Sequence, residues 1–164
     1  MFVDTDILYL LPEIVLLLGL LSLLIFGAFR GADAEPATSR LVMVLLAIVT
    51  ILIVTRGPGA TKVFSDLLIL DSYGQFMKTL VLLGGIMTLA ISTGYRRAQG
   101  LMQHEYSVLV GFATLGMLLM ISANDLMSLY LAIELQSLSL YILAAFDRHS
   151  GRSTEAGLKY FVLG

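Results

Sequence analysis

The sequence predicts an all-α, polytopic transmembrane helical bundle: five full spanning helices plus the start of a sixth, with the N-terminus outside. Three observations predict it. Of the 164 residues, 58% are hydrophobic and only 13% charged, with a mean hydropathy of +0.92; soluble domains average about 45–50% apolar and about 25% charged. Apolar runs recur along the chain at the length of a membrane span, which takes about 20 residues. The basic residues divide unequally between the connections, as they do in proteins oriented by positive charge on the cytoplasmic side.

The first element opens on MFVDTDILYLLPEIV. This start is acidic, whereas a secretory signal starts basic, so the run at about 8–29 reads as a retained helix. Pro12 suits an early helical position, and Glu13 just after it complements the helix dipole. The apolar run Leu41–Thr55 makes a second span over about 39–56, with Thr38–Arg40 and Arg56 at its ends. The only long connection, Gly57 to Gln75, contains KVFSDLLILDSYG. It is too short to span and too apolar to lie free in water, which predicts a short hairpin or interfacial segment on the outer face.

Three further spans follow at about 77–95, 106–123 and 126–146. A last helix at about 153–164, with Ser153 as its N-cap, covers roughly 18 Å at 1.5 Å per residue and falls short of a bilayer. Residues 1–164 therefore read as a single transmembrane domain and as the N-terminal part of a longer subunit. With the N-terminus outside, the inner connections hold Arg30, Arg40, Arg96, Arg97, Arg148 and Arg152. The outer side holds Arg56, Lys62 and Lys78.

Much chemistry is excluded on this chain. It has no cysteine, which removes disulfides, thiolate metal sites and cysteine-ligated iron–sulfur clusters. A net charge of −2 gives no sign of a nucleic-acid partner. His104 and His149 lie in connections, not at ligand spacing, and read as ordinary interfacial residues. There is no P-loop, dinucleotide fingerprint or nucleophile motif, and no metal or cofactor site is expected.

What remains is charge inside the membrane. Glu134 lies about eight residues, or some 12 Å, from the outer end of its helix, close to mid-membrane. A charged residue costs about 2.5–3.5 kcal/mol there, while holding a free glutamic acid neutral at pH 7 costs about 3.7 kcal/mol. Because these costs are similar, modest changes nearby can switch such a carboxyl group, as a proton relay requires. Tyr130, Ser137 and Tyr141 share its helix stripe. The competing reading is a glutamate that only hydrogen-bonds two helices together. Lys159 is the second candidate for a proton path; its alternative is a surface pair with Glu155. Lys78 reads as an interfacial anchor, and Gly84, Gly85, Gly111 and Gly116 as positions of close helix approach.

The residues also carry a resemblance. NDLMSLYLAIELQSLSLYILAAF followed by DRHSGRSTEAGLKYFVLG resembles subunit N, an antiporter-like membrane subunit, of proton-pumping NADH:quinone oxidoreductase (respiratory complex I). LDSYGQFMKTLVLL and YSVLVGFATLGMLLMISANDL fit the family as well; the first 60 residues match in hydropathy and in LPEIVLL. The resemblance implies a bacterial inner-membrane protein, the mitochondrial inner membrane being the alternative. It implies a redox-free chain of about fourteen helices, similar to cation/proton antiporters, packed beside the other complex I membrane subunits. FMN, iron–sulfur clusters and the quinone would belong to other subunits. Glu134 matches the family's proton-channel acid, which pairs with a lysine on a later helix beyond Gly164. Lys159 matches a family lysine that affects activity. A multisubunit Na⁺/H⁺ antiporter or membrane-bound hydrogenase subunit, and a small structural membrane subunit with no transport role, stand as alternatives.

Overall fold

Apolar helices that cannot bury themselves alone must share faces, and the way they do so sets where the charges go. The structure, a computed structural model, describes residues 7–30, 35–56, 61–64, 66–98, 103–147 and 150–163. The helices are α1 (Leu11–Arg30), α2 (Glu35–Val54), α3 (Ser72–Ala98), α4 (Glu105–Ser122), α5 (Leu126–Ala144) and α6 (Gly151–Leu163), with strands β1 (Thr61–Val63) and β2 (Leu68–Leu70) between α2 and α3. Among the described residues, α1 to α5 are long and apolar enough to cross a membrane. The protein is a helical membrane bundle. The ends where α1, α3 and α5 begin are called outer here, and the opposite ends inner, after the expected topology.

The core is built by α1, α2, α3 and α4. Leu16 and Leu20 of α1 meet Val42, Leu46 and Val49 of α2, Leu82 and Leu89 of α3, and Val108, Leu115 and Leu118 of α4, all at most 2% exposed. The buried positions recur every three or four residues, as one helix face requires. Of these helices α4 has no exposed residue, whereas the first three also carry an exposed apolar face, including Leu18 and Ile25 on α1, Val44 and Ile51 on α2, and Met87 and Ile91 on α3. Such residues are costly in water and fitting against lipid.

Close approach is made by small residues. A Cβ on Gly111 would run into Leu20 Cδ2, and one on Gly85 would meet Thr114 Oγ1 at 3.0 Å. Gly84, expected to do the same, has nothing within 4 Å because it lies on the exposed side of α3. His104 packs its ring against Gly27, while His149 lies outside the described residues.

The Gly57–Gln75 connection contains an antiparallel hairpin pairing Thr61 with Leu70 and Val63 with Leu68. It docks on the outer end of the bundle: the Asn124 backbone N–H donates to Leu67 O at 3.0 Å, and the Asn124 side-chain amide donates to Asp66 O at 2.7 Å. Asp71 Oδ1 accepts from Gly74 N at 2.7 Å and caps α3. At the inner end, Ser153 is not the N-cap of the last helix. That helix starts earlier, and Ser150 takes the role, its Oγ accepting from Ser153 N at 3.4 Å. The Ser153 hydroxyl donates instead to Ala144 O at 2.9 Å and ties α6 to the end of α5.

Candidate functional site

The Asn124–Asp125 turn starts α5. Asp125 has extended backbone, and its carboxylate accepts from Met127 N and, at 3.1 Å, from Ser128 N, so two of the four orphan N–H groups of the first turn are satisfied. Asp125→Ala should therefore lower stability by about 1 kcal/mol, measured as a shift of the unfolding transition of the full-length chain in detergent.

The position of Glu134 follows from how α5 packs. A Cβ on Gly116 would stand 2.8 Å from Gln136 N and 3.0 Å from Ala132 O, so the backbone of α4 lies directly against residues 132–136 of α5. Ala132 and Ser139 are the buried positions of α5. Glu134 is about 200° around the helix from Ala132 at 100° per residue. It therefore points away from α4, on the stripe it shares with Tyr130, Ser137 and Tyr141. Glu134 is half-buried and Tyr130 is 60% exposed. Among the described residues, no hydrogen bond or ion pair reaches the Glu134 carboxylate. The contact behind it is backbone on both sides and has no flexible side chain to give way. Gly116→Val should cost about 1–3 kcal/mol by overpacking, read from the same unfolding transition.

The inner half of that stripe is covered by α6. The Tyr141 ring meets Tyr160 edge-on at 4.8 Å and Phe161 at 5.6 Å, and Gly157 packs against Ala145. The face of α6 toward α5 thus carries Ser153, Gly157, Tyr160 and Phe161. Lys159 is about 200° from Gly157 and points away from α5. Its ammonium pairs with Glu155 at 2.6 Å, with side chains 67% and 64% exposed. Tyr160 is level with Tyr141, and Glu134 lies seven residues, about 10 Å, farther along α5. The structure does not bring Lys159 and Glu134 together.

It does bring together charges that the sequence reading left apart. Lys78 is not an interfacial anchor: it is 3% exposed, and its ammonium donates to Glu13 Oε1 at 2.5 Å, with Glu13 5% exposed. Glu13 is thus a buried ion-pair partner besides any service to the α1 dipole. At the inner end Arg96, which the topology reading counted among the connections, is 2% exposed and donates from Nη1 to Glu35 Oε1 at 2.7 Å, with Glu35 fully buried. The Arg96 guanidinium also lies 4.3 Å from the Tyr106 ring centre.

Lys78 and Arg96 are eighteen residues, about five turns and about 27 Å, apart on one face of α3. Between them that face buries Leu82, Gly85 and Leu89. It therefore carries a cation at each end, and the two ion pairs clamp α1 and α2 onto α3.

Comparison with known proteins places the chain. A family model described as NADH:quinone oxidoreductase/Mrp antiporter, transmembrane, matches residues 123–164, the stretch that contains Glu134 and Lys159. NADH-quinone oxidoreductase subunit N 1 of Rhizobium meliloti is 46% identical over 154 residues, covering 94% of this chain and 32% of that protein. The subunit N of Paramagnetospirillum magneticum is 45% identical over 159 residues, covering 97% and 33%. Over nearly its whole length the chain is similar to subunit N proteins.

It spans about a third of the length of the subunit N relatives it matches. A solved structure of respiratory complex I from Thermus thermophilus with bound aureothin contains a chain of the same fold, with a TM-score of 0.73 and 26% identity over 93% of this chain and 32% of that one. The two buried ion pairs lie outside the stretch matched by the family model. The Glu134 helix, by contrast, lies within it.

Four site-forming residues escaped the sequence reading: Glu13 and Lys78 as partners, and Glu35 and Arg96 altogether. Three of them were lost to the placing of helix ends. Helix starts placed at 77 and 39 and an end at 95 left Lys78, Glu35 and Arg96 at or beyond helix termini. The observed starts at Ser72 and Glu35 and end at Ala98 draw all three into the packed helices.

Proposed function

We propose that this chain is part of a proton-translocating membrane-arm subunit of bacterial NADH:quinone oxidoreductase, in which Glu134 is the proton-carrying carboxyl group of a channel. The observation that carries the reading is the placement of Glu134: a carboxylate at mid-span, held from behind by the Gly116 contact and turned to the side of α5 away from the core. The likeness to bacterial subunit N proteins supports the enzyme, the neighbouring antiporter-like membrane subunits as partners, and the bacterial inner membrane as location. No redox chemistry is assigned to these residues; flavin, iron–sulfur and quinone chemistry would belong to other subunits.

The mechanism is electrostatic. Redox energy released elsewhere changes the charge pattern along the membrane arm, and the cation facing Glu134 approaches or withdraws. A nearby cation favours the carboxylate, and its withdrawal favours the protonated acid. The group therefore releases a proton in one state and takes one up in the other. Lys159 joins this path only through groups that bridge about 10 Å along α5 and the turn around α6; its pairing with Glu155 is its structural role. The test is Glu134→Gln in the assembled enzyme, with proton uptake by membrane vesicles as the readout.

A further inference from the structure

We propose that Arg96 and Tyr106 are positioning residues for the Glu134 helix, acting through a continuous chain of contacts from the buried α2–α3 ion pair to the inner end of α5. The inference rests on the proton-channel reading of Glu134 and extends it to residues on other helices.

Each link is a direct contact. Glu35 of α2 accepts from Arg96 of α3 at 2.7 Å. The Arg96 guanidinium stacks on the Tyr106 ring of α4 at 4.3 Å. Tyr106 meets Phe146, just past the end of α5, edge-on at 5.3 Å and 78°. Phe146 is 9% exposed and follows Ala144 and Ala145, which receive α6 through the Ser153 hydroxyl and Gly157. The inner ends of five helices therefore meet in one chain of side chains.

Farther along, α5 is held mainly from one side. It packs along its length on α4, closest at the Gly116 contact, with Ala132 and Ser139 buried and the other positions half-buried or exposed. A helix seated on one neighbour along its length and tied at its inner end can tilt on that neighbour if the inner tie is loosened, and Glu134 lies beside the Gly116 contact about which it would turn. The link can also transmit a difference between states. A cation over an aromatic face depends on its charge and its distance from the ring, and Arg96 is held there by one carboxylate oxygen. Glu35 Oε2 and Arg96 Nε and Nη2 find no protein partner in the described structure.

The experiment uses the assembled enzyme in membrane vesicles and reads protons translocated per NADH oxidised, a ratio independent of how much enzyme assembles. Tyr106→Phe keeps the ring and both of its contacts and should leave the ratio at the wild-type value. Tyr106→Leu removes the face and the edge and should lower it. Arg96→Lys keeps the charge but loses the planar stack, and should fall between them. A wild-type ratio in Tyr106→Leu overturns the link. An equal fall in Tyr106→Phe and Tyr106→Leu also overturns it, by assigning the effect to the phenol hydroxyl. Glu134→Gln, run alongside, separates the two readings. If it lowers the ratio while Tyr106→Leu does not, the link alone fails; if it leaves the ratio unchanged, the channel reading fails.

Discussion

Lys78→Met is expected to destabilise the folded chain by about 3–5 kcal/mol, because it strands the Glu13 carboxylate in the bundle with no counter-charge. At 5% exposure Glu13 cannot turn to water, and its Oε2 has no partner among the described residues. Glu13→Gln should cost less, since the amide oxygen can still accept from Lys78. The double change Glu13→Leu with Lys78→Met should recover most of the loss, because replacing a whole buried pair with apolar groups is often neutral or stabilising. Unfolding of the full-length variants in detergent measures all three. If Lys78→Met shifted stability by no more than about 0.5 kcal/mol, as a surface substitution does, the buried pair would be wrong and the interfacial-anchor reading restored.

Glu134→Gln is expected to abolish most proton translocation through this subunit while leaving the fold intact. Glutamine keeps the shape of the side chain and cannot carry a proton at neutral pH. Glu134 makes no hydrogen bond or ion pair among the described residues, so little stability is at stake. Glu134→Asp should be milder, since the charge remains with a shorter reach. Proton uptake by vesicles, measured with electron transfer in the same preparation, separates a pumping defect from failed assembly. Wild-type uptake with glutamine in place would remove Glu134 from the channel.

The helices were legible from the chain because hydropathy acts locally. A run of about 20 apolar residues has few alternatives to spanning a bilayer, and α1 to α5 each contain such a run. The hairpin was half legible: a segment too apolar for water and too short to span had to fold back, but pairing Thr61 with Leu70 depends on backbone partners that hydropathy does not encode. Glu134 was legible because it interrupts an apolar run near its middle, where no end effect can account for a charge.

Lys78, Arg96 and Glu35 were not, because each lies within a few residues of a helix end. Near an end, a shift of three to five residues in the boundary decides between a residue at the water interface and one inside the bundle. Hydropathy marks those boundaries only loosely, since a charge that lowers the local average looks like an end whether or not it is one. The pairings were less accessible still: Glu13 and Lys78 are sixty-five residues apart and Glu35 and Arg96 sixty-one.

By itself, then, the sequence determined the spanning helices, the carboxylate in the fifth of them and the resemblance to an antiporter-like subunit, all of which follow from residue type and order along one helix. Only the tertiary structure decided which way that carboxylate faces, that Lys159 turns from it toward Glu155, and that α3 is clamped at both ends by buried ion pairs. Those outcomes depend on the rotation of each helix about its axis. That rotation is set by contacts between distant segments, such as Gly116 against Ala132 and Gln136, where the absence of one methyl group lets two backbones meet.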